Sequence, residues 1–273
     1  MTFSIVARSA DGESWGIGVA SKFLAVGSAV PAAVAGVGAI ATQADANVAF
    51  KGLALAHLDD GATAGVALQR LLEEDEGRDH RQVGIVDSDG NAASHTGAAC
   101  LDWAGGAIGD GYAIQGNILT GPEVVEAMEA AWLASDEDAP LARRILAAMD
   151  AGDAAGGDSR GRQSAALFVV RDGAGYGGLD DIAADLRVDD HPAPLTELGR
   201  LLDLHELYLT ASTDAEKVPV TAELAAELEE LARAAGSRDF AAWVGTHNYE
   251  MRVADDASWI DERILAIIRG DGA

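Results

Sequence analysis

Thr2-Phe3-Ser4-Ile5-Val6-Ala7-Arg8, then Asp11-Gly12, then Trp15-Gly16-Ile17-Gly18-Val19-Ala20-Ser21: these residues decide how the chain begins to fold. The first run alternates as a strand does, with Phe3 and Ile5 on one face, and Asp11-Gly12 is a turn signal before a second strand. The chain therefore opens with a hairpin whose first residue after the initiator is a threonine. Working outward, Gly38–Ala44 reads as a strand, and 48–58 and 62–74 as helices, the first stopped by Asp59-Asp60-Gly61. A second hairpin follows: Gln82–Asp87, the turn Ser88-Asp89-Gly90, and 91–96; residues 112–115 form a further strand. Helices are predicted over 122–134 and 140–151, where Pro122 and Pro140 suit a first helical turn. A glycine-rich loop, 152–162, feeds a strand over 165–171, and 185–188 is a weak strand. From Leu195 the pattern is helical, over 195–209, 221–235, 239–244 and 258–269. The reading is an α+β core over residues 1–192 and a helical extension over 193–273, divided near His191-Pro192-Ala193-Pro194.

Composition narrows the function classes. With 49% apolar residues in 273, the chain can bury a sizeable core. Nineteen basic residues against 45 acidic give a net charge of −26, which repels phosphate backbones and anionic lipid, so neither nucleic acid nor membrane is an expected partner. Lysine occurs only at 22, 51 and 217. That balance fits adaptation to a salt-rich cytoplasm, with an Asp- and Arg-rich proteome as the alternative. No segment nears the ~20 continuous apolar residues of a membrane span, and the start lacks a basic stretch followed by an apolar one. With a single cysteine, Cys100, no disulfide framework forms within one chain. A cytoplasmic location is expected.

Three familiar patterns match only by letter. Gly157-Asp158-Ser159-Arg160-Gly161 has the spacing of a serine-hydrolase nucleophile elbow, but a helix precedes it and a strand follows, the reverse of what that motif needs. Gly36-Val37-Gly38-Ala39-Ile40-Ala41 has dinucleotide-fingerprint spacing but opens a strand instead of a helix. Gly156 to Gly161 followed by Arg162-Gln163 lacks the Lys and Ser/Thr of a phosphate loop. The six histidines show no i, i+4 pair and no cysteine companion, so no zinc site is expected.

Thr2 remains. Loss of Met1 leaves a free α-amine on a threonine, and at a pKa of about 7.7–8.0 part of it is neutral near pH 7 and able to accept the hydroxyl proton. Nucleophile and base then share one residue. An uncleaved Met1 blocks that amine. Lys22 follows the second strand and is a candidate neighbour for Thr2; spacing alone favours the plainer reading, a strand start beside a solvated lysine. Polar residues collect at strand ends and tight loops, where a rigid scaffold presents functional groups: Gln43, Arg81, Gln82, Thr96, Gly97, Gln115, Asn117, Asp158 and Arg160. Asn117 and backbone N–H groups beside Gly97 or Gly116 are candidate oxyanion donors, Arg160 is a candidate carboxylate clamp, and Asp158 a candidate to orient either Arg160 or the Thr2 amine. Each serves equally well as a loop-closing hydrogen-bond partner.

Taken in order, several stretches resemble the family called domain of unknown function 1028. They are Thr2–Arg8, Ser21-Lys22-Phe23-Leu24-Ala25-Val26-Gly27, the segment 36–44, Arg81-Gln82-Val83-Gly84, His95-Thr96-Gly97-Ala98-Ala99-Cys100, Gln115-Gly116-Asn117-Ile118-Leu119, the segment 156–167, and Asp185-Leu186-Arg187-Val188-Asp189-Asp190-His191-Pro192. The resemblance runs from Thr2 to about Tyr208. It implies membership of the N-terminal nucleophile (Ntn) hydrolase superfamily, a four-layer αββα sandwich, and amide cleavage with Thr2 as nucleophile and Lys22 in support. The functional expectation is a Thr2-dependent amidohydrolase acting on a small, carboxylate-bearing substrate without metal or organic cofactor. The alternatives are a non-catalytic binding or assembly module on the same fold, or a serine hydrolase using Ser159. The apolar spacings Leu224, Leu228, Leu231 and Ile260, Ile264, Leu265, Ile268 need burial, either within the chain or in a homo-oligomer.

Overall fold

A computed structural model describes residues 2–271; Met1, whose removal the Thr2 mechanism needs, lies outside the described residues. The opening hairpin forms as the sequence indicates, from β1 (Thr2–Arg8) and β2 (Ser14–Ser21), with Phe3 opposite Ala20. One helical turn, α1 (Val26–Ala29), leads to a second hairpin of β3 (Pro31–Val34) and β4 (Gly38–Ala44). Two helices follow, α2 (Phe50–Asp59) and α3 (Ala64–Glu73), the latter capped by the Thr63 side chain. Strands β5 (Arg81–Asp87), β6 (Ala92–Thr96), β7 (Gly105–Gly109) and β8 (Tyr112–Asn117) come next. Helices α4 (Glu123–Ala134) and α5 (Leu141–Ala154) then precede β9 (Ser164–Arg171) and β10 (Ile182–Val188).

These strands make two antiparallel sheets, ordered β10-β9-β2-β1-β8-β7 and β3-β4-β5-β6. Strand alternation explains how they pack. Val6, Trp15, Ile17 and Val19 of the first sheet share one apolar cluster with Ala39, Ala41 and Val86 of the second. The opposite faces take helices. Ile40, Val83 and Ile85 bury against Phe50, Leu58, Leu68 and Leu71 of α2 and α3, while α5 lies across β1, β2 and β9. On that helix-facing side β2 carries Gly16 and Gly18. A Cβ at Gly18 would fall 2.5 Å from Cγ2 of Ile145 and 2.9 Å from Cγ of Met149, so glycine is what lets α5 sit this close.

Two short strands of the sheets are absent from the sequence-based expectation. β3 begins at a proline and lies at a sheet edge, and β7 reads Gly-Gly-Ala-Ile-Gly, so neither shows the alternation of a half-buried strand. Helix α6 (Pro194–Leu209) contains the division between two compact units, which falls at Leu201/Leu202. The reason is local: Leu195 lines a small cavity with Phe3 and Ala20, and a Cβ at Gly199 would touch Leu146 at 3.6 Å, so the start of α6 packs with the first unit.

The second unit is not purely helical. Strands β11 (Lys217–Pro219) and β12 (Trp259–Asp261) pair antiparallel beside α7 (Ala222–Ala234), α8 (Phe240–His247) and α9 (Glu262–Arg269). The expected helix from Ser258 begins four residues late because Ile260, although spaced four from Ile264, is spent on β12, and Asp261 caps α9 by accepting the Arg263 N–H at 2.8 Å. Leu228, Phe240, Trp243, Ile260 and Ile264 form the core of this unit. Beside them Arg252, 1% exposed, pairs with Asp261 at 2.9 Å, and Ser212 donates to the same carboxylate at 2.6 Å. Burial raises the Asp261 pKa, but the bonds from Ser212 and Arg263 outweigh it and hold the carboxyl below its usual range. No helix among the described residues is long and apolar enough to cross a membrane.

Two outcomes follow from this packing. Gly18→Ala forces Ile145 and Met149 apart and is expected to cost ~1–3 kcal/mol in denaturant unfolding. Arg252→Leu takes from the buried Asp261 carboxylate its closest charged partner, leaving Ser212 and Arg263, and is expected to cost up to ~3–5 kcal/mol. Asp261, with its folded pKa below the unfolded ~3.9, contributes stability that is present above that value and lost as pH falls through the folded value. In the variant, carboxyl protonation relieves a charge that has lost its closest cation, so the stability gap to wild type should narrow in acid denaturant melts.

Candidate functional site

Thr2 begins β1, the strand with β2 on one edge and β8 on the other, and its register partner on β8 is Asn117. On β1, Thr2, Ser4 and Val6 face the second sheet, whereas Phe3 and Ile5 face α5. The space between the sheets is thus apolar around Val6 and Trp15 and becomes polar toward Thr2. The Thr2 hydroxyl shares a 3.1 Å hydrogen bond with Ser21 Oγ. Ser21 was not singled out by function in the sequence; its signal was its place at the inward end of the series Trp15, Ile17, Val19.

Beneath Thr2 a directional chain of side chains links the sheets. Gln115 Nε2 donates to Ser4 Oγ at 2.6 Å, and Ser4 donates to Gln43 Oε1 at 2.8 Å. Gln43 Nε2 donates to Gln82 Oε1 at 2.9 Å and reaches the Thr2 carbonyl at 3.3 Å. Gln82 Nε2 in turn donates to Thr96 Oγ1 at 2.9 Å and to the Gly116 carbonyl at 2.7 Å. Asn117 Nδ2 donates to Gln82 Oε1 at 2.9 Å. An amide nitrogen carries two hydrogens, so that bond uses one of them. Gln43, Gln82, Gln115 and Asn117 are all at most 1% exposed. Gly84 makes the layer possible, since a Cβ there would meet Gln115 Oε1 at 2.1 Å. That Oε1 is the one atom of the layer left buried without a partner.

The loop after α5 closes over the same end. Gly156 (φ +125°) and Gly157 (φ +53°) have backbone conformations that favour glycine, and a Cβ at Gly157 would stand 3.4 Å from the Phe3 ring. They deliver Asp158, which is buried and accepts the Lys22 N–H at 2.6 Å and the Arg160 N–H at 2.9 Å. The Arg160 guanidinium pairs with the same carboxylate at 3.3 Å. Ser159 is exposed, after a helix and before a strand, as the sequence order indicates.

Not every candidate converges here. The Lys22 ammonium donates to the Arg162 carbonyl at 3.2 Å, so it is Lys22's backbone N–H, through Asp158, that meets the site. Arg81 bonds Asp75 at 2.7 Å and Asp45 at 3.2 Å, and the Gly97 N–H donates to the Arg81 carbonyl at 2.9 Å. Both residues therefore tie the ends of β5 and β6 to the preceding loop. The Gly36–Ala41 match forms the β3–β4 turn and β4 itself. Among the described residues no three His, Cys, Asp or Glu side chains come together as metal ligands do.

Comparison with solved structures gives an informative likeness. The crystal structure of a DUF1028 family protein from Silicibacter pomeroyi is 31% identical, covers 78% of this chain and 90% of that one, and superposes with a TM-score of 0.68. Anbu, the ancestral beta-subunit, from Yersinia bercovieri is 11% identical over 77% of this chain and 98% of that one, with a TM-score of 0.32. An Anbu (Gly-1) mutant from Hyphomicrobium sp. strain MC1 is 10% identical over 74% and 95%, with a TM-score of 0.34. Those two carry no argument about this chain. No curated protein matches it. The profile of the family of unknown function DUF1028 matches residues 2–198, most of the chain. The protein belongs to the DUF1028 family.

Proposed function

We propose that this protein is an Ntn-type amidohydrolase, built on the four-layer αββα arrangement of that superfamily, which cleaves an amide bond of a small carboxylate-bearing substrate with Thr2 as nucleophile. One observation carries the reading. Thr2 opens the strand flanked by β2 and β8, and its hydroxyl is set among polar partners: Ser21 Oγ at 3.1 Å, with Asn117 opposite in register. Toward this end of β1 the hydrocarbon around Val6 gives way to hydroxyls and amides, which supports a chemical use for the Thr2 hydroxyl.

The chemistry needs Met1 removed. Thr2 Oγ then attacks the substrate carbonyl carbon while its proton passes to the Thr2 α-amine. The tetrahedral oxyanion is held by the remaining N–H of the Asn117 amide. Collapse breaks the C–N bond, the amine leaves with the proton, and water hydrolyses the Thr2 ester to return the hydroxyl. Ser21 orients the nucleophile. Gln43, Gln82 and Gln115, linked through Ser4 and to one another, position β1, with Thr96 closing their chain. Asp158, anchored on the Lys22 N–H, sets Arg160 to receive the substrate carboxylate, and Arg81 and Gly97 hold the adjoining loop.

A second reading, a binding or assembly module without turnover, is favoured by one fact: Thr2 is only 6% exposed. The mature protein separates the two. The hydrolase reading expects an intact mass lacking Met1, labelling of Thr2 by an N-terminal electrophile, and a fall of at least ~10³-fold in amide hydrolysis for Thr2→Ala, with Thr2→Ser retaining part of the rate. Undiminished hydrolysis in Thr2→Ala, or a mature chain that keeps Met1, would overturn it.

A further inference from the structure

The opposite end of β1 carries a different arrangement. Six residue steps from Thr2, a distance of roughly 20 Å, Arg8 lines a cleft of about 430 Å³ together with Gly90, Gly111, Tyr112, Trp132 and Arg144. In this chain arginines are ordinarily tied to carboxylates: Arg81 to Asp75 and Arg162 to Asp153, both at 2.7 Å, and Arg187 to Asp185 at 2.7 Å. Arg8 and Arg144 differ. Neither guanidinium forms an ion pair among the described residues, although 45 acidic residues are available.

Both are nonetheless taken partly out of water. Arg144 is 6% exposed, its Cζ 4.0 Å from the Trp132 ring centroid, with only its Nε donating, to Ser135 Oγ at 2.8 Å. Burial pushes its pKa down, against the pull of Glu137 and Asp136. Arg8 lies 5.7 Å from the Trp15 ring centroid, and its Nε is buried with no hydrogen-bond partner. The Arg8 guanidinium packs directly against Gly12, where a Cβ would fall 2.3 Å from Nη2. Tyr112, pushed up to about 12 by burial and by its bond to Glu129, stays neutral on the cleft wall. The other ionisable lining groups are Asp110 and Glu137.

We infer that this cleft is a second ligand site, separate from Thr2, which takes a small molecule bearing an oxyanion, carboxylate or phosphate, between the Arg8 and Arg144 guanidinium forks. Partly desolvated cations with carboxylates nearby but none in direct contact are costly, and the planar fork of arginine matches a two-oxygen anion. The volume suits a small metabolite, and the Trp132 ring supplies an apolar wall for its body. Asp110 and Glu137 at the walls select against a bulky polyanion.

Titration calorimetry of the full chain at low ionic strength, with succinate and with inorganic phosphate as probes, tests the site. One-to-one saturable binding of at least one probe is expected, and which one binds identifies the source of the oxyanion. Arg8→Gln should weaken that binding at least tenfold, and so should Arg144→Gln if it folds; Thr2→Ala should leave it unchanged. Arg8 ends a strand and is half-exposed, so Arg8→Gln decides the matter if Arg144→Gln does not fold. Absence of saturable binding by both probes, or binding by Arg8→Gln as tight as wild type, overturns the inference.

Discussion

The hydrogen bond from Gln43 Nε2 to Gln82 Oε1, 2.9 Å long, joins neighbouring strands of one sheet at the point where the other sheet leans on them. Everything around Thr2 rests on it. Through Ser4 and Gln115 it reaches β1 and β8, and through Thr96 it reaches β6. A buried amide left unpaired costs ~1–3 kcal/mol, so each of these groups holds its neighbours in one arrangement. The apolar cluster around Val6 and Ile17 supplies cohesion between the sheets, but it is tolerant of small shifts. The amide layer is not, and it sits directly under Thr2.

Charge is organised by the same rule at a larger scale. A chain with net charge −26 has few cations to place, and it places most of them against carboxylates at loop ends and helix surfaces. Surface pairs of this kind contribute little individually. The Arg252–Asp261 pair is different, because both partners are buried and the second unit closes around them.

Much of this was legible in the chain. The hairpin at 2–21, the strand 38–44 and six of the longer helices follow from alternation, turn residues and threefold or fourfold apolar spacing, with ends displaced by a few residues where caps such as Thr63 and Asp261 take over. β7 and β3 were illegible because glycine and proline carry no alternation, and β12 because Ile260 fits a helical spacing by coincidence. The polar positions near Thr2 were readable as a set. Their partners were less so: strand register sets Gln82 beside Gln43, and the opening hairpin sets Ser21 beside Thr2, but Asn117 belongs to the other sheet and only the packing of the two sheets brings it to Gln82. Lys22 shows the limit of proximity in sequence. It follows Ser21 directly, yet its ammonium is engaged by the Arg162 carbonyl.

The bare face of β2 has a consequence for divergence within the family. Gly18, Ile145 and Met149 share one fixed volume, so a side chain gained on the strand must be matched by atoms lost from the helix. These three positions are bound to drift together, and a relative that carries alanine at the strand position will carry a smaller residue facing it. The helix cannot retreat instead, because it also lies over β1 and β9, and backing away would empty the floor on which the first strand rests.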